Sequence, residues 1–142
     1  MKIYFAGSIR GGRDDREWYA SIIKHLEQVH TVLTEHLGYE SLTDSGEDLS
    51  VETIFARDMD WVRESDVIVS EVTNPSLGVG YELGQAEAMG KPILCLYREQ
   101  EGKKLSAMLL GNSYPTIVIY ATLEEAYAAC DDFLRKYLTK AG

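Results

Sequence analysis

The chain has 142 residues, of which 45% are hydrophobic and 26% are charged, and its formal net charge at pH 7 is −9. This length and composition are typical of one compact domain with a sizeable core. The negative charge argues against a general binder of nucleic acids or anionic membranes, because the affinity of such proteins depends on Lys and Arg. It does not exclude a small phosphorylated ligand.

The two cysteines, Cys95 and Cys130, lie in apolar segments and have no His or Cys neighbour at a zinc-binding spacing. We therefore expect buried free thiols. The N-terminal segment becomes polar too early for a signal peptide, and no apolar run reaches the roughly 18 residues of a membrane span. We expect a soluble protein of the cytoplasm, with the nucleus as a further location in a eukaryote.

Apolar runs alternate with amphipathic stretches along the chain. In chain order the pattern predicts a strand at 2–7, a helix at 14–28, a strand at 31–36, a loop at 37–50, a helix at 51–64, a strand at 66–72, a helix at 80–89, a strand at 92–97, a short helix at 105–111, a strand at 116–121 and a helix at 122–138. Continuously apolar strands separated by helices are typical of a parallel sheet covered on both faces. The predicted fold class is α/β, a single three-layer domain over 1–142 with a five-stranded parallel sheet of flavodoxin-like or Rossmann-like order.

In such a sheet, ligands bind at the carboxyl ends of the strands, where the strand order reverses. The loop GSIRGGR (7–13) follows the first predicted strand and leads into a helix. Its residues are suited to an anion nest at a helix N-terminus: Ser8, Arg10, Gly11, Gly12 and Arg13. A glycine-rich turn with solvated arginines would give the same pattern. An NTPase is not expected because the Walker A pattern is absent, and Asp15 is expected to cap the following helix electrostatically.

Asp58 interrupts an apolar face of the helix predicted at 51–64. The apolar residues of that face are Val51, Ile54, Phe55 and Val62. A carboxylate among them costs free energy unless it is paired or neutral. Desolvation would raise its pKa, as a general acid requires. Asp58 is equally compatible with a structural role in which it pairs with Arg57 or with a backbone N–H.

The stretch LGVGYELG (77–84) has the glycines of a nucleotide-binding turn, but its Gly-x-Gly-x-x-x-Gly spacing is one residue longer than the dinucleotide pattern. Glu82 is predicted in the first turn of the helix at 80–89, where the helix dipole favours the ionised form. A glutamate that only caps the helix would also fit this position. An ionised Glu82 and a neutral Asp58 would form the pair of carboxyl groups that cleaves a glycosidic bond.

Three further residues are candidates on weaker grounds. Tyr4, in the first strand, would place a phenol near the site, although a packed core tyrosine is also compatible with this position. Ser106 begins the short helix, so it is suited either to an N-cap or to holding an anion. His36 ends the second predicted strand and therefore lies near the expected site.

Four segments together resemble the Rcl-type 2′-deoxynucleoside 5′-phosphate N-hydrolases of the nucleoside 2-deoxyribosyltransferase superfamily. They are YFAGSIRGGR (4–13), VLTEH (32–36), DVIVSEVTNPSLGVGYELGQAEAMGKPILCLYR (66–98) and LSAM (105–108). The resemblance implies a nucleotide N-glycosidase domain that hydrolyses 2′-deoxynucleoside 5′-monophosphates to free base and 2-deoxyribose 5-phosphate. It also implies that no metal or organic cofactor is used.

The resemblance implies a role for each matching residue. Glu82 of YELG matches the nucleophile that attacks C1′ to form a glycosyl-enzyme, Asp58 of RDMDW matches the carboxylate that assists departure of the base, and Tyr4 matches a tyrosine that orients nucleophile and sugar. Ser106 matches a serine that reaches the phosphate in the neighbouring subunit's site, with Met108 at the same border, which implies a homodimer with shared active sites. The remaining predicted substrate-binding residues are Gly7, Ser8, Ile9 (against the base), Arg10, Gly11, Gly12, His36, Ser76 and Gly78.

Three different functions also stay open at the level of sequence. Deoxyribosyltransferases proper usually carry an Asp where this chain has Ser76, and they bind nucleosides without phosphate, so hydrolysis is favoured over transfer. A ribonucleotide N-glycosidase acting on CMP or modified CMP is the second, and a nucleotide-binding domain without turnover is the third. The acid pair argues against the third. The loop 37–50 and the last helix match no family motif, so the resemblance leaves any base selectivity of the loop in doubt.

Overall fold

The computed structural model of the protein describes residues 1–8, 15–38 and 47–138. In chain order, its elements are β1 (Lys2–Ala6), α1 (Arg16–Glu27), β2 (Thr31–Val32), a 3₁₀ helix (Glu35–Gly38), α2 (Val51–Glu64), β3 (Val67–Glu71), α3 (Leu77–Ala88), β4 (Ile93–Arg98), α4 (Ala107–Leu110), β5 (Thr116–Tyr120) and α5 (Leu123–Leu138). The described strands form one parallel sheet in the order β2-β1-β3-β4-β5. The prediction of a three-layer α/β fold is confirmed, and the order is the flavodoxin-like one.

Helices cover both faces of the sheet, and neighbouring residues of each strand point to opposite faces. Ile3 and Phe5 of β1 belong to the core under α1 and α5. Tyr4 and Ala6 belong to the core under α2 and α3. This alternation directs the Tyr4 side chain to the layer that also carries Asp58 and Glu82. Both cysteines are buried and free, as predicted.

The second strand is shorter than the sequence predicts, since β2 ends at Val32 and not at residue 36. The Thr34 hydroxyl replaces the backbone hydrogen bonds that a longer β2 would make with β1. It accepts the Phe5 N–H at 2.9 Å and donates to the Phe5 carbonyl at 2.5 Å. The backbone then turns, and the Leu37 N–H bonds to the Thr34 carbonyl at 3.1 Å. His36 therefore lies in the 3₁₀ helix and not in a strand.

The third helix begins earlier than predicted, at Leu77 rather than at residue 80. Ser76 is its N-cap, and the side chain accepts a hydrogen bond from the Val79 N–H at 3.2 Å. Such a cap satisfies one of the free N–H groups of the first turn. The stretch LGVGYELG is therefore the first two turns of α3 itself, and Gly78 and Gly80 are helical residues.

Arg98, the last residue of β4, joins several polar groups at the carboxyl edge of the sheet. Its Nη2 lies 2.5 Å from Asp15 and its Nη1 lies 3.6 Å from Glu71, which is fully buried. The guanidinium also stacks on the Trp18 ring at 4.2 Å. Asp15 is the N-cap residue of α1, where its side chain makes no capping hydrogen bond and instead accepts from Arg98.

Candidate active site

A cavity of about 670 Å³ lies at the carboxyl ends of β1 and β3, between α2 and α3. β1 lies between β2 and β3 in the sheet. The chain passes from β1 to β2 on one side and then to β3 on the other, so the strand order reverses at this point. The lining residues that carry polar or ionisable groups are Glu47, Asp58, Ser76, Tyr81 and Glu82. The cavity lies where the sequence predicts the site, at the carboxyl ends of the strands.

Glu82 is partly buried in the second turn of α3. Its pKa is raised from 4.5 to about 8, first by burial and then by the negative charge of Asp58, while a hydrogen bond with the Tyr4 phenol acts in the opposite direction. Because the helix dipole acts mainly on the first turn, the predicted stabilisation of an ionised Glu82 by the helix N-terminus is wrong. The early start of α3 at Leu77 is the physical reason.

Tyr4 is almost fully buried, with 2% of its surface exposed. Burial is the main cause that raises the pKa of its phenol, and the Glu82 carboxylate is the next. The phenol therefore keeps its proton and can donate it in a hydrogen bond to Glu82. Tyr4 is thus both a packed core residue and a partner of Glu82.

Asp58 lies on α2 with its side chain 18% exposed, and it lines the same cavity as Glu82. Its predicted apolar face is buried only at Val62, because Val51 and Phe55 are more than half exposed. The face lines the cavity instead. Arg57 donates from Nε and Nη2 to Asp58 Oδ1 at 3.0 and 2.8 Å.

The pKa of Asp58 is raised, mainly by burial, although the Arg57 hydrogen bonds act in the opposite direction. The pKa of Glu82 is raised as well, so the expected contrast between a neutral Asp58 and an ionised Glu82 is not present. Two interacting carboxyl groups of this kind titrate as a pair. Glycosidic cleavage requires that the pair hold one proton, so that one member is an acid and the other a carboxylate.

Arg57 also binds a second carboxylate, that of Glu47. Its Nη1 and Nη2 donate to Glu47 Oε1 and Oε2 at 2.7 and 2.6 Å. The guanidinium carbon lies 4.7 Å from the centre of the Trp61 ring, and His36 Nε2 lies 3.2 Å from Glu47 Oε1. His36 thus reaches the site through Glu47. Glu47 was not predicted from the sequence, because it lies in a loop with no recognisable motif.

The end of the site expected to hold the phosphate begins at Gly7 and Ser8. A Cβ on Gly7 would lie 2.9 Å from the Tyr19 ring, so this close approach requires glycine. The Ser8 N–H donates to the Tyr19 hydroxyl at 3.1 Å. The Ser8 hydroxyl is fully buried and has no hydrogen-bond partner among the described residues. Five more residues predicted in this loop lie outside the described residues: Ile9, Arg10, Gly11, Gly12 and Arg13.

Ser76 and Gly78 line the cavity as predicted, whereas Ser106 and Met108 do not. These two residues belong to a second cavity, of about 700 Å³, between α3 and α4. Ser106 is the exposed N-cap of α4, where its hydroxyl accepts the Met108 N–H at 3.2 Å. Within one chain, Ser106 and Met108 are therefore separated from the cavity that Asp58 and Glu82 share.

Neither a metal-binding cluster nor a membrane-spanning helix is found in the part of the chain that the structure describes. Residues 1–8, 15–38 and 47–138 contain no group of three or more His, Cys, Asp or Glu side chains arranged to hold a metal ion. In the same ranges, every helix is too short or too polar to cross a membrane.

Comparison with known proteins identifies a family and several named relatives. The family described as nucleoside 2-deoxyribosyltransferase matches residues 3–112. A protein of Danio rerio named 5-hydroxymethyl-dUMP N-hydrolase is 60% identical over 114 residues, which cover 80% of each chain. A protein of Tetraodon nigroviridis with the same name is 56% identical over 113 residues, covering 78% of this chain and 80% of that protein.

Among solved structures, a CMP N-glycosidase of Clostridium botulinum superposes with a TM-score of 0.66 at 23% identity, covering 94% of this chain and 99% of that chain. At that identity the likeness supports the fold alone. The family match runs from β1 to just past α4 and so includes Asp58 and Glu82. The chain belongs to the nucleoside 2-deoxyribosyltransferase family.

Proposed function

We propose that the protein hydrolyses the N-glycosidic bond of 2′-deoxynucleoside 5′-monophosphates and releases a free base and 2-deoxyribose 5-phosphate. The observation that carries the proposal is the cavity that Asp58 and Glu82 line together, close enough to interact electrostatically, with the Tyr4 phenol near enough to lower the pKa of Glu82. Relatives at 60% and 56% identity are named as N-hydrolases of 5-hydroxymethyl-dUMP, which is a nucleotide of this class.

In the first step, the Glu82 carboxylate attacks C1′ while the bond from C1′ to the base nitrogen breaks. The electron pair of that bond goes to the base, which takes a proton from the Asp58 carboxylic acid. The products are a covalent glycosyl-Glu82 ester, a free base and an Asp58 carboxylate. The Tyr4 hydrogen bond lowers the pKa of Glu82 and so favours the ionised nucleophile.

In the second step, water attacks C1′ and the bond from C1′ to the Glu82 oxygen breaks. The Asp58 carboxylate takes the proton of the water, as expected when one residue serves first as acid and then as base. Glu82 regains its charge and Asp58 its proton. The pair is then again in its reactive form, with Glu82 ionised and Asp58 protonated, and the sum of both steps is hydrolysis.

We infer that the 5′-phosphate binds beside Gly7 and Ser8. The buried Ser8 hydroxyl lacks a partner among the described residues, and a buried polar group of this kind is costly unless a ligand or water satisfies it. The Ser76 hydroxyl accepts from the Val79 N–H and keeps its own proton for a donor bond. Both hydroxyls are suited to bind phosphate oxygens.

The proposal is tested with a panel of deoxynucleoside monophosphates, ribonucleoside monophosphates and the corresponding nucleosides, with base release followed by chromatography. We expect release of base from deoxynucleoside monophosphates and its loss in the Glu82→Ala and Asp58→Asn variants. Added free base should not be incorporated into nucleotide. Undiminished release by Glu82→Ala would refute the mechanism, and preference for ribonucleotides or transfer to the added base would replace the proposed activity.

We further infer a homodimer in which Ser106 enters the site of the neighbouring subunit. Supporting it is an apolar surface next to both cavities, where Leu77 is 97% exposed and Met108 is 82% exposed. Exposed apolar surfaces of this kind mark interaction sites. Mixing the inactive variants Glu82→Ala and Ser106→Ala should restore activity in heterodimers that carry one intact site. No restoration after demonstrated subunit exchange would count against shared sites.

A further inference from the structure

We propose that Arg57 and Glu47 are positioning residues for Asp58. Arg57 fixes Oδ1 of Asp58, so that Oδ2 is the atom that protonates the leaving base, and Glu47 draws part of the guanidinium charge away so that Asp58 is not held as a permanent anion. This inference rests on the proposed function and concerns how its acid is prepared.

The first step of the argument is the geometry of the guanidinium. Both bonds from Arg57 to Asp58 end on Oδ1, while Oδ2 accepts no hydrogen bond from the described residues and belongs to a side chain that lines the cavity. The planar fork of Arg fixes the orientation of the carboxyl group that it binds. Stacking on Trp61 at 4.7 Å holds the fork itself in place.

The second step concerns charge. Arg57 supplies one positive charge to two carboxylates, and its bonds to Glu47, at 2.6 and 2.7 Å, are shorter than those to Asp58. The two acids respond differently: the pKa of Glu47 is lowered, chiefly by its Arg57 bonds, whereas the pKa of Asp58 is raised. If the whole guanidinium were available to Asp58, the charged form of Asp58 would be stabilised and would not donate a proton.

The third step is the set of charged and titratable groups that surround Asp58. Arg57 lies beside it on α2, Glu47 and His36 approach from the segment before α2, Glu82 from α3 and Tyr4 from β1. Of these, Arg57 and His36 lower the pKa of Asp58, and Glu47 raises it. Removal of Arg57 and removal of Glu47 must therefore shift the pKa of Asp58 in opposite directions.

The chain offers a matched control on the same helix. Arg63 and Asp60 form a pair at 2.9 Å, but both side chains are more than half exposed and neither lines the cavity. A change at Arg63 removes a similar charge from α2 without touching Asp58. Surface pairs of this type contribute little free energy, so this variant reports the effect of charge removal alone.

The experiment measures kcat against pH for Arg57→Met, Glu47→Gln and Arg63→Met, with a deoxynucleoside monophosphate as substrate. The alkaline limb of the profile reports the acid that must be protonated. We expect Arg57→Met to move it up by about 1–3 pH units, the range associated with a neighbouring cation. Glu47→Gln should move it down, and Arg63→Met should leave it in place.

Orientation is tested with a substrate analogue that carries a nitrophenolate in place of the base, because such a group leaves without a proton. Arg57→Met, and Arg57→Lys, which keeps the charge but not the fork, should lower kcat about tenfold or more for the nucleotide, a part of the roughly 10²–10⁴-fold effect of a positioned acid. Neither variant should lower kcat by a comparable factor when the analogue is the substrate. A merely structural role would reduce both rates by the same factor.

A direct titration separates this inference from the proposed function. The ¹³C signal of the Asp58 carboxyl, identified by its loss in Asp58→Asn, gives the pKa without any turnover. Opposite shifts in Arg57→Met and Glu47→Gln support the charge-sharing part even if no nucleotide is hydrolysed. Shifts in one direction, no shifts, or equal losses with both substrates overturn the proposal. If Arg57→Met does not fold, Glu47→Gln and Arg57→Lys decide it.

Discussion

Replacing Glu82 by Gln should stabilise the protein at neutral and alkaline pH while it abolishes activity. Folding raises the pKa of Glu82 from 4.5 to about 8, mainly because the carboxylate is buried. Between these two values the folded state binds more protons at Glu82 than the unfolded state does, so the free energy of unfolding falls as the pH rises. Glu82→Gln keeps the shape of the side chain and removes this titration.

The size of the effect follows from the shift. At pH 7 the raised pKa of Glu82 costs about 3 kcal/mol, because each unit between 4.5 and 7 corresponds to about 1.4 kcal/mol. At pH 5 the same reasoning gives less than about 1 kcal/mol. For a chain of this length, about 3 kcal/mol corresponds to a rise of about 10 °C in Tm.

The assay is urea unfolding of the wild type and of Glu82→Gln at pH 5, 7 and 8. Glu101→Gln serves as the control, since Glu101 is an exposed carboxylate in the turn after β4. We expect the advantage of Glu82→Gln over the wild type to grow with pH, and the Glu101→Gln protein to follow the wild type. An advantage that is the same at pH 5 and pH 8 would show that the pKa of Glu82 is not raised.

Three further predictions concern other parts of the structure. Tyr4→Phe removes the phenol that lowers the pKa of Glu82, so the acidic limb of kcat/KM against pH should move up by about 1 unit, the equivalent of one hydrogen bond to a charged group. Arg98→Met leaves the largely buried Asp15 without its partner at 2.5 Å and should cost about 3 kcal/mol in urea unfolding, whereas Arg98→Lys should cost less. Ser50→Ala removes the N-cap of α2 and should cost about 1 kcal/mol in the same assay; no loss would contradict the cap.

The layers and the strands were predictable from the sequence because buried parallel strands leave a strong signal. Continuous apolar runs mark β1, β3 and β4, and the predicted helix at 51–64 has the observed bounds of α2. The start of α3 was missed because glycines suggested a loop. Glycine lowers helix propensity, but the Ser76 cap at 3.2 Å from the Val79 N–H starts the helix before them.

Asp58 and Glu82 were also predicted from the sequence to form an acid pair, but their electrostatics were not predicted correctly. Asp58 stood out as a carboxylate in an apolar row, and Glu82 stood out beside glycines and in the resemblance to N-hydrolases. Which of them carries a raised pKa depends on burial, and burial depends on how α2 and α3 pack. Both pKa values are raised, and that of Glu82 reaches about 8.

Local patterns and motifs were sufficient for the fold class, for the family resemblance and for the choice of Tyr4, Asp58 and Glu82 as the central residues. The groups that these residues meet became known only from the folded chain. Glu47 lies 11 residues before Asp58 in a segment without a motif, yet it takes two of the hydrogen bonds of Arg57. Contacts of this kind depend on the path of the chain and on the direction of each side chain, and no local pattern encodes them.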